Sequence, residues 1–171
     1  MTDFVIRAAG PGDLLAVLAI HGQLGANDSA DPAPSDRQQQ TWNRVMRSDD
    51  LTVYLAELGG EPVGTAAQML MPHVTYQCAP TAFIEAVVVA AEHRRKGIAR
   101  AMMQRLLDDA RAAGCNKIQL LSHKRHIVDG AHRLYSSMGF EPEAEGFRRY
   151  LQQVPPAVQA ARAKSRQEAA D

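Results

Sequence analysis

Cysteine is scarce: Cys78 and Cys115 are the only two in 171 residues. They form neither a CxxC pair nor a disulfide framework, which fits a reducing compartment, and each is expected to be a buried structural thiol. Excess charge of one sign is also lacking, because 19 Lys and Arg balance 19 Asp and Glu. No long-range positive field is then available for nucleic acid or an anionic membrane, although local basic patches remain open. No apolar run approaches the roughly 20 residues of a membrane span. The opening MTDFVIRAAGPGD lacks a basic region followed by an apolar one. No internal repeat is found. The expectation is a soluble, cytoplasmic protein with neither nucleic acid nor membrane as partner.

What is present suits one folded domain. Hydrophobic residues make up 46% and charged residues 22% of the chain, enough apolar surface for a sizeable core. A single domain is expected over residues 1–153. Residues 154–171, with Pro155-Pro156 followed by AVQAARAKSRQEAAD, have little apolar surface and are expected to be flexible or weakly helical.

Alternation predicts strands at Phe4–Ala8, Leu51–Leu58, Pro62–Met71, Phe83–Val89 and Lys117–Leu121, with Phe147–Leu151 as a further candidate to close the sheet. Gly59-Gly60-Glu61 marks a hairpin. Helical spacing runs from Leu14 to Leu24, with Asp13 as its cap, and over Asp36–Arg47. Ile98, Met102, Met103, Leu106, Leu107 and Ala110 trace one face of a helix that Gly114 stops. Asp129–Met138 reads as a last helix, capped by Asp129 and ended by Gly139, and 27–35 (NDSADPAPS) as a mobile loop. The order implies a mixed α/β domain.

The richest stretch is VVVAAEHRRKGIA, residues 87–99. A β-branched strand gives way to a basic, glycine-containing loop that opens an amphipathic helix. Such a junction aims several N–H groups and the positive end of a helix dipole at one point, which suits a pyrophosphate. A solvated helix start that binds nothing is the competing reading.

Arg94-Arg95-Lys96-Gly97-Ile98-Ala99 matches Gln/Arg-x-x-Gly-x-Gly/Ala, and in this the chain resembles the GNAT superfamily of acyl-CoA-dependent N-acyltransferases. IEAVVV stands where that family's fourth strand would, and LYSSMGF where its final helix would. The resemblance implies a mostly antiparallel central sheet flanked by helices, with the fourth and fifth strands splayed. It implies acetyl-CoA as cosubstrate, with no metal. Backbone groups of Val87, Val88 and Val89 would pair with the pantetheine arm, and one N–H of this strand would hold the oxyanion. Arg94, in the Gln/Arg position, and Arg95, Lys96, Gly97, Ile98 and Ala99 would surround the pyrophosphate. Homodimers are common in such a family.

The same resemblance makes Tyr135 the general acid for the departing thiolate; the alternative is a ring that merely packs on the sheet. Glu85 is the candidate base. Alternation sets Glu85, Val87 and Val89 on one face, and a lone glutamate in an apolar strand needs water or a partner. His123, His126 and His132 are other possible bases with no third ligand to complete a metal pattern, so solvated or capping roles are favoured. Lys124 and Arg125 are further candidates for phosphate contact. Val128 stands where many family members have a cofactor-contacting asparagine, so that contact does not transfer. The run from Ile84 to Phe140 is similar to the glucosamine-6-phosphate N-acetyltransferase branch, but Ala86 replaces the acidic residue typical there. The acceptor would be chosen around residues 20–47, which carry no decodable motif. The expected activity is acetyl transfer to a primary amine of a small molecule. A non-catalytic acyl-CoA-binding module and a protein acetyltransferase are the alternatives.

Overall fold

The computed structural model describes residues 4–22, 33–123, 130–147, 149 and 151. Five strands, β1 (Phe4–Ala8), β2 (Leu51–Leu58), β3 (Glu61–Met71), β4 (Thr81–Val89) and β5 (Lys117–Leu120), form one sheet in the order β1-β2-β3-β4-β5. The first four pair antiparallel, and β4 and β5 run parallel. The helices are α1 (Leu14–Gly22), α2 (Asp36–Val45), α3 (Ile98–Ala112) and α4 (Ala131–Ser137). Among the described residues no helix is long and apolar enough to cross a membrane.

Local chemistry explains most boundaries. Gly59 and Gly60 both have positive φ, the geometry of a two-residue hairpin turn, so β3 begins at Glu61 rather than after it. Ser35 caps α2: its hydroxyl accepts the Gln38 N–H, and Gln38 Oε1 accepts the Ser35 N–H at 2.8 Å. Asp13 is not a cap of this kind. It sits inside a short 3-10 turn, accepts the Gly10 N–H at 2.6 Å, and takes both terminal nitrogens of Arg7, at 2.6 and 3.0 Å. The Arg7 guanidinium, more than the partly opposing desolvation, holds the Asp13 carboxyl below the usual range. Arg7 also reaches Glu57 on β2, tying the sheet edge to the start of α1.

The core lies on both sides of the sheet. Tyr54, Ala56, Ile84, Val89 and the α3 residues Ile98, Met102, Met103 and Leu106 bury together on one face. Leu55 and Val88 pack with Leu14, Val17 and Ile20 of α1 and Trp42 of α2 on the other. Two expectations fail outside this core. Phe147 and Leu151 are 91% and 90% exposed and stand outside the sheet, because an alternating pattern becomes a strand only where an edge accepts it. Cys78 is exposed, since Tyr76, Gln77 and Cys78 all take positive φ in a turn that leads away from the core. Cys115 is half-buried, and desolvation pushes its thiol up, away from the reactive thiolate.

Candidate active site

The β4–β5 ladder ends at Ile84 opposite Leu120, whereas β4 continues to Val89. From Glu85 onward the edge of β4 toward β5 therefore lies outside that ladder. On its other side β4 carries one surplus residue, since Thr65 opposes Val88 but Ala67 opposes Glu85. This β-bulge puts Ala86 at φ +54°, a conformation costly for a residue with a Cβ.

The bulge corrects the alternation expected of this strand. Val87 and Val89 face the α3 cluster, Val88 faces α1 and α2, and Glu85 lies on the α1 and α2 side, opposite Val87. Inserting one residue resets the period of two, so Glu85 no longer shares a face with Val87 and Val89. The three valine side chains pack in the core, with Val88 and Val89 buried, so any role toward a ligand falls to their main chain.

After Val89 a short 3-10 turn, Ala91–His93, leads into the loop Arg94–Gly97. Arg94 is exposed, yet its Nε donates to the Val89 carbonyl at 3.1 Å, so this arginine braces the loop against the end of β4. Arg95 and Gly97 both adopt positive φ, at +62° and +84°, and Gly97 is the N-cap of α3. A Cβ on Gly97 would meet nothing within 4 Å, so glycine is required here by backbone conformation rather than by crowding within the chain. Ile98 is buried and anchors the helix. The first bond of α3 runs from the Ala101 N–H to the Gly97 carbonyl, leaving the N–H groups of Ile98, Ala99 and Arg100 without helical partners at the positive end of the dipole. Arg95 and Lys96 are exposed around that end, with Lys96 Nζ 3.4 Å from His93 Nδ1.

Tyr135 lies on α4, half-buried against the same cluster as Val87. Its ring meets Phe140 edge-on, with centroids 6.1 Å apart, so it has a packing role whatever its hydroxyl does. Arg100 Nη2 donates to Ser137 Oγ at 2.6 Å, docking α4 on the first turn of α3. His132 Nε2 lies 3.0 Å from Ser122 Oγ and ties α4 to the segment after β5. His123 is half-buried. Lys124, Arg125, His126, Val128 and Asp129 lie outside the described residues, as does most of the 27–35 loop.

The opposite face carries a hollow that period-two patterns alone did not reveal. Two cross-strand rows, Leu51–Met69–Phe83 and Val53–Ala67–Glu85, lie side by side there. Because Ala67 is small, Leu51, Ala67, Met69, Phe83 and Glu85 line an open hollow of about 170 Å³, and Glu85 is the ionisable residue among these described walls. The strand patterns contained these residues, but only the register between three strands assembles them.

The Acetyltransferase (GNAT) family model matches residues 21–140. A relative named glucosamine 6-phosphate N-acetyltransferase, from Trypanosoma brucei brucei, is 28% identical over 144 residues, covering 82% of this chain and 92% of the relative. A solved structure from Agrobacterium tumefaciens str. C58, whose name assigns it as an acetyltransferase, is 31% identical with a TM-score of 0.77, covering 85% of this chain and 99% of its own. The aminoglycoside N-acetyltransferase AAC(6')-Iy in complex with CoA shares the fold at 18% identity and a TM-score of 0.71, over 90% and 97% of the two chains. The parting of β4 from β5, the loop at the head of α3 and these likenesses converge: the chain is an acyltransferase belonging to the GNAT acetyltransferase family.

Proposed function

We propose that this enzyme moves the acetyl group of acetyl-CoA to a primary amine of a small molecule by direct attack on the thioester. The observation that carries the reading is continuity along one strand. β4 leaves the β5 ladder after Ile84, continues to Val89 with its edge outside that ladder, and passes through a short 3-10 turn into the Arg94–Ala99 loop at the N-terminus of α3. A free strand edge suits an extended amide-containing arm, and the cluster of N–H groups beyond it suits a pyrophosphate. Arg95 through Ala99 would hold the pyrophosphate, with Arg94 bracing their loop, and main chain of Val87, Val88 and Val89 would hold the arm.

When bound, acetyl-CoA supplies the activated acyl group. A bond forms between the amine nitrogen and the acyl carbon, and the carbon–sulfur bond breaks. Glu85 would take the proton lost by the amine, directly or through water, and the Tyr135 hydroxyl would give one to the departing sulfur. A β4 N–H would stabilise the oxyanion. The named relative, acting on an amino sugar, supports an amine acceptor of small size.

Calorimetry with acetyl-CoA, paired with thiol release across amino sugars, aminoglycosides, polyamines and peptides, tests this. Acetyl-CoA binds, at least one small amine is acetylated, and Tyr135→Phe retains the affinity while losing turnover. Absence of acetyl-CoA binding, or turnover confined to peptides, refutes the reading.

A further inference from the structure

We propose that the acceptor amine is borne on an apolar body about the size of a benzene ring, seated in the Ala67 hollow with its nitrogen beside Glu85. The proposal rests on the acetyl-transfer reading above and adds the class of substrate.

Shape is the first argument. The hollow measures about 170 Å³, and a protein cavity of about 150 Å³ lined by aliphatic and aromatic side chains accepts benzene. Among the described residues its walls are apolar apart from Glu85. Met69 is 41% exposed, and Leu51 and Phe83 are half-buried, so an apolar guest removes their surface from water. Met69 adds a flexible wall able to adjust to rings of different outline.

Placement is the second argument. Glu85 is the first residue of β4 past the last ladder position, Ile84, so the hollow opens where β4 leaves β5. An amine whose body fills the hollow presents its nitrogen to the Glu85 carboxylate at the start of the free strand edge. The bulge at Ala86 is what turns Glu85 to this side of the sheet.

Charge is the third argument. No described residue lining the hollow is basic. A phosphorylated amino sugar would set a phosphate against Phe83 and Met69 and near the Glu85 carboxylate, losing water on one side and meeting repulsion on the other. The hollow therefore selects for one positive charge on an apolar body, unlike the substrate named for the trypanosomal relative.

The test measures kcat/KM by thiol release at fixed acetyl-CoA for 2-phenylethylamine, tyramine, glucosamine 6-phosphate and spermidine. The arylalkylamines exceed the other two by about tenfold or more, the scale of one filled apolar subsite. Ala67→Leu, which fills the hollow, raises KM for 2-phenylethylamine by about tenfold or more, while calorimetric affinity for acetyl-CoA holds. Met69→Gln, at an exposed position, raises the same KM and keeps the test valid if Ala67→Leu folds poorly. Preference for glucosamine 6-phosphate or spermidine, or an unchanged KM in folded variants, overturns the proposal and leaves acetyl transfer standing. Loss of acetyl-CoA binding in the unaltered protein overturns both.

Discussion

Tyr54→Phe isolates one oxygen that fastens α3, the helix whose N-terminus faces the proposed pyrophosphate site. The Tyr54 side chain is buried, and its hydroxyl donates to Asp109 Oδ2 at 2.6 Å; Arg105 Nε donates to the same oxygen at 2.8 Å and lies over the Tyr54 ring. A hydrogen bond to a charged acceptor is worth about 1.5–3 kcal/mol. Asp109 keeps Arg105 and partial contact with water after the change, which places the loss near the lower bound, about 1.5 kcal/mol. For a chain of this length that is a fall in Tm of about 3–6 °C. Burial first, then the Asp109 carboxylate, push the Tyr54 phenol well above its ordinary range. Above pH of about 10 the unfolded chain ionises this tyrosine while the folded one keeps its proton, so stability falls with rising pH. Between pH 10 and 11 this single group removes about 1 kcal/mol. Urea unfolding of both proteins at pH 7, 10 and 11 measures the effect. The variant is less stable at pH 7 and loses less on going to pH 11. Equal losses in the two proteins between pH 10 and 11 would refute the argument.

Gly64→Ala brings a Cβ to 3.1 Å from both Met102 Sδ and the Val88 carbonyl oxygen. It lowers stability by about 2 kcal/mol and, because Val88 belongs to β4, weakens acetyl-CoA binding; thermal melts and calorimetry check the two effects. Gly97→Ala costs about 1 kcal/mol from its φ of +84° alone and weakens acetyl-CoA affinity, while other backbone-neutral changes in the loop do not alter the melting curve. Glu85→Gln lowers turnover by about a hundredfold or more while calorimetric affinity for acetyl-CoA holds. Unchanged turnover in steady-state kinetics would assign the base elsewhere.

Much of the fold is legible before any coordinates because it rests on local rules. The 3.6-residue spacing from Ile98 to Ala110 needs only its own side chains to declare α3, and Gly59-Gly60 declares its turn through φ alone. The loop at Arg94–Ala99 is readable for the same reason: glycine, basic side chains and a helix start are neighbours in sequence. Phe147 and Leu151 misled because their pattern was local while strand pairing is not.

By itself, then, the sequence determined most of the strand and helix segments, the glycine at the head of α3 and the basic loop around it. Tertiary structure alone decided where the site's side chains point. The surplus residue at Ala86 exists only relative to β3, and it turns Glu85 away from Val87. The hollow exists only because register sets Leu51, Met69 and Phe83 in one row and Ala67 and Glu85 in the next. Arg94 bends back to Val89 because the 3-10 turn between them brings the chain round. Pairing across strands depends on residues far apart in the chain, and a one-residue offset reverses every face beyond it.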